Sequence, residues 1–231
     1  MTDLRRRARF AGCLYLVLCV AAPFRLMVLP SMVPARGEAG ATVAALLAHE
    51  GLFRMGIAAD LLCGALLIFI LRAFQRLFRE VDPDLGVTLL ILGGILPSAL
   101  YFVNTVNDAA ALLLARGEIL TTFTPLQRAD LAQAFLRLHG QAVLAAEVLW
   151  GLWLFPLGRL LLRSGAFPRL LGYWLYLNGL AYLAASLVGF LAPGWAGSLE
   201  RFTFPLQLGE VAFVLYLLVV GVREQRGTAA G

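Results

Sequence analysis

Residues 52–73 read LFRMGIAADLLCGALLIFILRA, and the charged side chains among them are Arg54, Asp60 and Arg72. A transmembrane α-helix needs about 20 mostly apolar residues to cross a hydrocarbon core about 30 Å thick. The stretch has that length and is interrupted by few charges. It therefore predicts a membrane-spanning helix.

Apolar stretches of similar length recur along the whole chain. The sequence is 61% hydrophobic and 14% charged, whereas soluble domains carry about 25% charged residues, so it has too little polar surface to coat a soluble globule. No linker or change in composition divides it. We predict an all-α, polytopic transmembrane helix bundle that forms one domain over residues 1–231, with about six spans at roughly 10–30, 52–73, 86–114, 131–158, 169–192 and 205–222.

Local signals indicate where several helices begin and bend. Thr124-Pro125-Leu126-Gln127 places a Thr at the N-cap, a Pro at the first helical position and a Gln at the capping-box position, which predicts the start of a long fourth helix. Pro156 predicts a kink near its other end. Residues 42–50 are too few to span a membrane and predict a short interfacial helix. We expect the first apolar stretch to be retained as a helix, because no small-residue cleavage site follows it.

Every basic residue is an arginine, and the arginines favour one set of helix ends. With the N-terminus inside, twelve arginines flank the inner ends of the spans and four lie in the outer loops. Positively charged residues are concentrated in cytoplasmic loops, so we predict that both termini are cytoplasmic and that residues 31–51, 115–130 and 193–204 face out. Because the arginines are scattered over helix ends rather than stacked on one face, we expect no nucleic-acid partner.

The sequence has no pattern of a zinc site or a disulfide framework. Cys13, Cys19 and Cys63 lie inside apolar runs, and His49 and His139 are too far apart to form a zinc-binding pair on one helix. A GxSxG elbow and a nucleophilic-cysteine context are also missing. We therefore expect no metal and no cofactor, assign no catalytic residue, and favour a protein that is not an enzyme without excluding one.

The most informative feature is the set of charged and polar side chains inside the spans. A charge at the bilayer centre costs about 2.5–3.5 kcal/mol on insertion scales, so such groups have to pair, reach water or be neutralised. Three arginines and four carboxylates lie within the spans, and this near balance favours pairing. The candidate residues of a ligand-binding or polar cluster are Arg54, Asp60, Asn104, Asp108, Arg137, His139, Glu147 and Glu210.

Their depth and helical spacing suggest how these residues are grouped. Nearly all fall in the outer half of the predicted bundle, and Asn104 and Asp108 are four residues apart on one helix face. Arg54 and Asp60 are six residues apart, about 120° around the helix, so we expect no pair between them. Glu210, beside Gly209, is the best candidate for a carboxylate with room for a ligand. We hypothesise that the charged members converge on one site in the outer half, namely Arg54, Asp60, Asp108, Arg137, Glu147 and Glu210.

Plainer interpretations apply to several polar and small residues. Arg54 and Arg25 lie near the predicted outer boundary, where an arginine can extend its charged end to the lipid headgroups instead of entering a site. Gly56 and Gly64 fall on one face of the second span, a spacing typical of close helix packing. Asn178 is typical of an interhelical hydrogen bond.

Three stretches carry a family resemblance. Residues 50–61 (EGLFRMGIAADL), residues 163–172 (RSGAFPRLLG) and Leu208-Gly209-Glu210 resemble the bacterial membrane protein family of unknown function DUF4386, and His139-Gly140 fits the same family. The resemblance covers essentially the whole chain. It implies a multi-pass protein of the bacterial inner membrane with six to seven helices. It brings no activity, and therefore no catalytic residues.

Three functions from different classes remain open. The first is binding or transport of a small molecule or lipid headgroup in an outward-facing polar cavity, with membrane lipids as partners. The second is a structural or accessory membrane protein held together by a buried salt-bridge network. The third is an intramembrane enzyme that uses a carboxylate and His139. A wet cavity favours the first, a closed and fully paired cluster the second, and His139 beside a carboxylate in a substrate-sized pocket the third.

Overall fold

The computed structural model describes residues 3–222, and these residues form helices joined by short connections without a β-strand. Six of the helices are long and apolar enough to cross a membrane. This confirms the predicted all-α bundle of six spans. In chain order the spans are Asp3–Met32, Glu50–Leu77, Pro83–Ala115, Pro125–Ser164, Arg169–Leu191 and Pro193–Val219.

A seventh, shorter helix covers Ala39–Ala48. Its residue Leu46 is completely buried and packs in a cluster with Leu29, Phe53 and Leu114. The short helix predicted for residues 42–50 is therefore present and begins three residues earlier than expected. One side of it is fixed by apolar contacts with the spans.

The start of the fourth span forms the predicted capping box. The Gln127 backbone N–H donates to Thr124 Oγ1 at 3.3 Å, and the Thr124 backbone N–H donates to Gln127 Oε1 at 2.9 Å. Two N–H groups that would otherwise lack a partner at the helix start are satisfied in this way. The third span begins similarly, because Asp82 Oδ1 accepts from the Leu85 backbone N–H at 3.0 Å and Pro83 occupies the first turn.

Prolines interrupt the regular helical hydrogen bonding of the longer spans. The fourth span consists of Pro125–Leu152 and Leu154–Ser164, separated at Trp153. Pro156 lacks a backbone N–H for the carbonyl of Leu152, which explains why the break lies one turn before the proline. In the first span a π-helical turn, Phe24–Val28, directly follows Pro23.

The last span begins earlier than the sequence indicated. Its α-helix covers Ala196–Val219 and includes Pro205, whereas hydropathy placed the start at residue 205. The charged residues Glu200 and Arg201 lower the hydropathy of the first turns, although these turns are helical. Glu210 consequently lies near the middle of this helix instead of one turn inside it.

Contacts within the chain divide the described residues into two compact units. One contains residues 18–65 and 98–145, and we call it the Arg25 unit. The other contains residues 3–17, 66–97 and 146–222, and we call it the Glu210 unit. The apolar core of the Arg25 unit is mostly aliphatic and includes Leu29, Val33 and Ala132.

The Glu210 unit has an aromatic core. Phe74 packs against Tyr15 and Phe213 with ring centroids 6.0 and 5.5 Å apart, and Phe167 lies 5.9 Å from Phe213. Aromatic pairs at these separations contribute attraction beyond the burial of their area. Tyr15 belongs to this core and also donates to the carboxylate of Glu210, described below.

Glycines bring the fourth and fifth spans into backbone contact within the Glu210 unit. A Cβ atom added to Gly151 would lie 2.6 Å from the carbonyl oxygen of Gly179, and one added to Gly179 would lie 2.8 Å from that of Gly151. Gly158 and Gly172 repeat the arrangement, with a Cβ on Gly158 at 2.9 Å from the Gly172 oxygen. Small residues at such crossings allow the close approach typical of membrane helices.

Candidate functional site

The centre of the candidate site is Arg25, in the π-helical turn of the first span. Arg25 is 5% exposed, although it carries a permanent charge. Its Nε donates to Asp60 Oδ2 at 2.7 Å, and one terminal nitrogen donates to Asp108 Oδ2 at 2.6 Å. The same terminal nitrogen lies 2.6 Å from His139 Nε2. We call Arg25, Asp60, Asp108 and His139 the arginine cluster.

The arginine cluster joins four spans through side chains that are all buried. Asp60, Asp108 and His139 are 3%, 0% and 7% exposed and come from the second, third and fourth spans. Because each unpaired charge is costly at this depth, the short charge-assisted bonds to Arg25 offset much of the penalty.

Small residues on the second span let the neighbouring helices approach. A Cβ on Gly56 would overlap Cδ2 of Leu29 in the first span, one turn beyond Arg25. A Cβ on Gly64 would lie 3.0 Å from the ring of Phe102 in the third span. Asp60 lies between these two glycines on the same helix face. The predicted packing role of Gly56 and Gly64 is therefore confirmed, and it brings Asp60 to its partners.

A hydrogen-bonded amide pair fixes the third span against the fourth. Asn104 Nδ2 donates to the backbone carbonyl of His139 at 3.2 Å, and Asn107 Nδ2 donates to Asn104 Oδ1 at 2.9 Å. Asn104 is 8% exposed and lies one turn before Asp108. This predicted site residue therefore positions the backbone of His139 without touching Arg25.

Both ring nitrogens of His139 face the guanidinium of Arg25. One terminal nitrogen of Arg25 lies 2.6 Å from His139 Nε2 and 3.1 Å from His139 Nδ1. A guanidinium has donors and no acceptor, so the ring of His139 is neutral and accepts from Arg25. His139 Nδ1 also lies 3.2 Å from Asp108 Oδ2.

The arginine cluster has more negative than positive groups. One guanidinium faces two carboxylates, and the neutral ring of His139 adds no charge. Asp108 Oδ2 accepts from Arg25 and lies 3.2 Å from His139 Nδ1, whereas Asp108 Oδ1 is buried and has no hydrogen-bond partner among residues 3–222. A buried acceptor without a partner is costly. The arginine cluster therefore has one hydrogen-bond acceptor without a partner, Asp108 Oδ1, and a net negative charge.

Three of these residues have the side-chain types that bind a metal ion, and no other such set occurs in the described part of the chain. One ligand atom each from Asp60, Asp108 and His139 lie within 4.8 Å of one another. The donors of Arg25 already occupy Asp60 Oδ2, Asp108 Oδ2 and His139 Nε2. A cation bound by this set would have to replace the guanidinium. The expectation that no metal is needed remains a prediction.

Arg54 and Arg137 lie elsewhere in the Arg25 unit. Arg54 is exposed, and its Nε donates to Glu50 at 2.8 Å. Arg137 is also exposed and donates to the carbonyl of Ala35 at 2.9 Å and to Gln133 at 3.1 Å. The predicted convergence does not include these two arginines, because each has a partner near its own helix end. The expectation that Arg54 and Asp60 do not pair with each other is confirmed.

Glu210 belongs to the Glu210 unit and has neutral partners. Tyr15 Oη donates to Glu210 Oε1, and Asn178 Nδ2 lies 3.3 Å from Oε2. A hydrogen bond from Tyr182 completes the set. Asn178 Nδ2 also donates to the carbonyl of Gln207 at 3.2 Å, which agrees with its predicted interhelical role. We call Glu210, Tyr15, Asn178 and Tyr182 the glutamate cluster.

Glu210 and Glu147 are the last two of the predicted site residues. A Cβ on Gly209 would lie 2.9 Å from Trp174 Cδ1, so the backbone does approach a neighbour closely beside Glu210, as expected. Glu147 is half-buried, and its Oε2 has no hydrogen-bond partner among the described residues. Both carboxylates belong to the Glu210 unit.

The candidate residues predicted from the sequence leave out two side chains on which these clusters depend, Arg25 and Tyr15. Two interpretations of Arg25 are open from the sequence. It is one of three arginines within the spans, whose near balance with the carboxylates favours pairing, and its place near the predicted outer boundary also allows it to reach lipid headgroups. No comparable signal distinguishes Tyr15 from the other aromatic residues in the first span.

The comparisons with known proteins give a family and no activity. The model of the family described as "Domain of unknown function (DUF4386)" matches residues 10–221. No curated protein and no solved structure matches the chain.

Proposed function

The chain belongs to the DUF4386 family, and we propose that it binds or transports a small molecule or a lipid headgroup that carries an amine, using Asp108 in the arginine cluster. The observation that carries this proposal is the buried Asp108 Oδ1, which has no hydrogen-bond partner among the described residues. The arginine cluster, which contains this atom, has two carboxylates and one guanidinium and is therefore negatively charged.

The chemistry of the arginine cluster selects the ligand class. A group that completes the cluster has to donate a hydrogen bond and bring positive charge, because the vacant atom is an acceptor and the net charge is negative. A primary ammonium group does both. When no ligand is bound, a proton on Asp108 removes the surplus charge. An anion would add to the surplus charge and is disfavoured.

Because Asp108 is buried, a ligand can reach it only after the helices around it have moved. Asp108 is 0% exposed, so this arrangement of the helices is closed around the cluster. Ligand binding then selects a conformation in which the helices carrying Asp60 and Asp108 open. Such a change is the ordinary basis of access to a site near the middle of a membrane.

A thermal-unfolding assay tests the proposal with defined probes. Purified protein in a neutral detergent is titrated with ethanolamine and with phosphatidylethanolamine, and matched samples receive ethylene glycol and phosphatidylcholine, whose quaternary ammonium group has no N–H donor. A ligand present at 100 times its Kd stabilises the folded state by about 2.7 kcal/mol. We expect the amines to raise the unfolding temperature of the wild type and to have no effect on Asp108→Asn.

The control variant is Glu210→Gln, which removes a half-buried carboxylate from the other unit. We expect it to keep the response to amines. Amines that stabilise the wild type no more than Asp108→Asn would contradict the proposal. Because protons compete with the ammonium group for Asp108, the response of the wild type is expected to weaken as the pH is lowered.

A structural role is the second candidate function. Arg25 bonds to residues from three other spans, and this closed arrangement is typical of an ionic tie between helices. In that case Asp108→Asn changes the unfolding temperature without ligand and alters no ligand response. The same assay therefore separates the two functions.

A further inference from the structure

A second charged region, in the Glu210 unit, is unrelated to the arginine cluster. A cavity of about 920 Å³ lies among the first residues of the first span, the end of the second span and the start of the third. Small-molecule sites in proteins have volumes of about 300–1,000 Å³. Five arginines line the cavity, namely Arg6, Arg7, Arg72, Arg76 and Arg79.

The charge of this cavity is largely uncompensated by the described residues. Asp3 is the acidic residue in its lining and pairs with Arg7 at 2.6 Å. Arg72 donates to the neutral side chain of Gln75. Among residues 3–222, no ion pair is formed by Arg6, Arg76 or Arg79. The cavity thus has several free guanidinium groups and strong positive potential.

The spacing of the arginines makes an anion the natural occupant. Arg72 and Arg76 lie one helical turn apart on one side of the second span, and Arg79 lies in the turn that follows Leu77. Like charges at this spacing repel and destabilise a helix. An anion between them removes the repulsion. Guanidinium groups bind phosphate oxygens through paired hydrogen bonds, which favours phosphate over other anions.

The remaining wall of the cavity is apolar. Phe10, Ala73 and Val87 line it beside the arginines, and Phe10 is 61% exposed. A second cavity of about 720 Å³ shares Arg7, Arg76 and Arg79 with the first. A ligand with a phosphate at one end and a hydrocarbon chain at the other fits this combination. The general preference of arginines for cytoplasmic helix ends explains their number, whereas it does not explain why they surround a cavity with an apolar side.

We propose that this arginine-lined cavity binds the phosphate headgroup of an anionic phospholipid, with Phe10 and Val87 contacting its acyl chain. Basic pockets at helix ends are suited to anionic lipid headgroups because charge attraction and apolar contact act together. The site is independent of the proposed amine-binding function, and either can fail without the other.

Native mass spectrometry of the delipidated full-length protein tests this proposal. The protein in neutral detergent is titrated with phosphatidylglycerol, with phosphatidylcholine and with sodium phosphate. We expect one phosphatidylglycerol to be retained in preference to phosphatidylcholine, and Arg72→Gln with Arg76→Gln to weaken its binding about 30-fold, since two arginines near the membrane surface are removed.

Two further double variants control for charge and for folding. Arg36→Gln with Arg201→Gln removes the same net charge from exposed sites elsewhere, and we expect it to change phosphatidylglycerol binding less than about twofold. Arg72→Lys with Arg76→Lys keeps the charge and is expected to recover part of the affinity. This recovery would show that the Gln variant loses a binding group and not its fold.

The lipid and phosphate arms of the titration distinguish the source of the phosphate group. Competition by sodium phosphate, beyond that of sodium chloride at equal ionic strength, would support recognition of the phosphate itself. Equal retention of phosphatidylglycerol by the Arg72/Arg76 and Arg36/Arg201 Gln variants would overturn the proposal. So would equal retention of the two lipids by the wild type, or binding of free phosphate without any binding of phosphatidylglycerol.

Discussion

The arginine cluster and the glutamate cluster hold carboxylates in two different ways. Asp60 and Asp108 share the guanidinium of Arg25. Glu210 instead contacts the neutral donors Tyr15 and Asn178. A carboxylate held by a cation depends strongly on that partner, because removing it strands a charge. A carboxylate held by several neutral donors loses less when one contact or its own charge is removed. The Arg25 unit should therefore be the more sensitive of the two to charge removal.

The largest effect is expected on removing the shared cation. Arg25→Gln leaves Asp60 and Asp108 buried without their guanidinium, and breaking a buried ion pair in this way costs roughly 3–5 kcal/mol. This loss of stability is measured as the change in the free energy of unfolding in mixed detergent micelles. Arg54→Gln is the matched control, because Arg54 is an exposed arginine whose pair with Glu50 is worth at most about 1 kcal/mol. Equal losses in the two variants would remove the distinction between Arg25 and Arg54.

The second prediction compares a glycine-to-alanine substitution at a helix contact in each of the two units. Gly151→Ala places a Cβ 2.6 Å from the backbone oxygen of Gly179, which cannot move without shifting a helix. Overpacking of this kind costs about 1–3 kcal/mol. Gly56→Ala meets the end of the flexible Leu29 side chain instead. We therefore expect the smaller loss for Gly56→Ala in the same unfolding measurement, and the reverse order would contradict this account of the packing.

The smallest effect is expected at Glu210. Gln has the shape of Glu, and its carbonyl oxygen still accepts from Tyr15. Its NH2 group replaces the oxygen near Asn178, but Asn178 keeps its bond to the Gln207 carbonyl, so Glu210→Gln should change the free energy of unfolding by less than about 1 kcal/mol. Glu210→Leu removes the acceptor and leaves buried donors without partners, at about 1–3 kcal/mol. If Glu210→Gln lowers the free energy of unfolding as much as Arg25→Gln does, the two clusters depend on charge to the same extent, which contradicts this comparison.

The fold was largely predictable because its signals are local. The length of the apolar stretches predicts the six spans, and the capping residues Thr124 and Gln127 correctly mark the start of the fourth. The start of the last span was predicted too late, because Glu200 and Arg201 lower the hydropathy of helical turns. Hydropathy reports which residues favour lipid, and a helix can extend beyond them.

The candidate site was predictable only in part, because side-chain contacts depend on helix rotation. Asp60, Asp108 and His139 were identified from their cost in a membrane, and they do meet. Arg25 comes after Pro23 within a π-helical turn. Such a turn adds one residue and rotates the next part of the helix by about 100° relative to a regular helix. The position of Arg25 in the sequence therefore does not show which neighbours its side chain faces.

A double-mutant cycle between Arg25 and Asp60 tests the central claim most directly, namely that Arg25 is the cation that holds the buried aspartates. The free energies of unfolding of Arg25→Gln, Asp60→Asn and the double variant give the interaction energy of the pair. A parallel cycle with Arg54→Gln supplies the control on the same aspartate. We expect about 1–3 kcal/mol for Arg25 with Asp60 and close to zero for Arg54 with Asp60. A cycle in which Arg25 and Asp60 show no interaction, or in which Arg54 shows the larger one, would contradict the account.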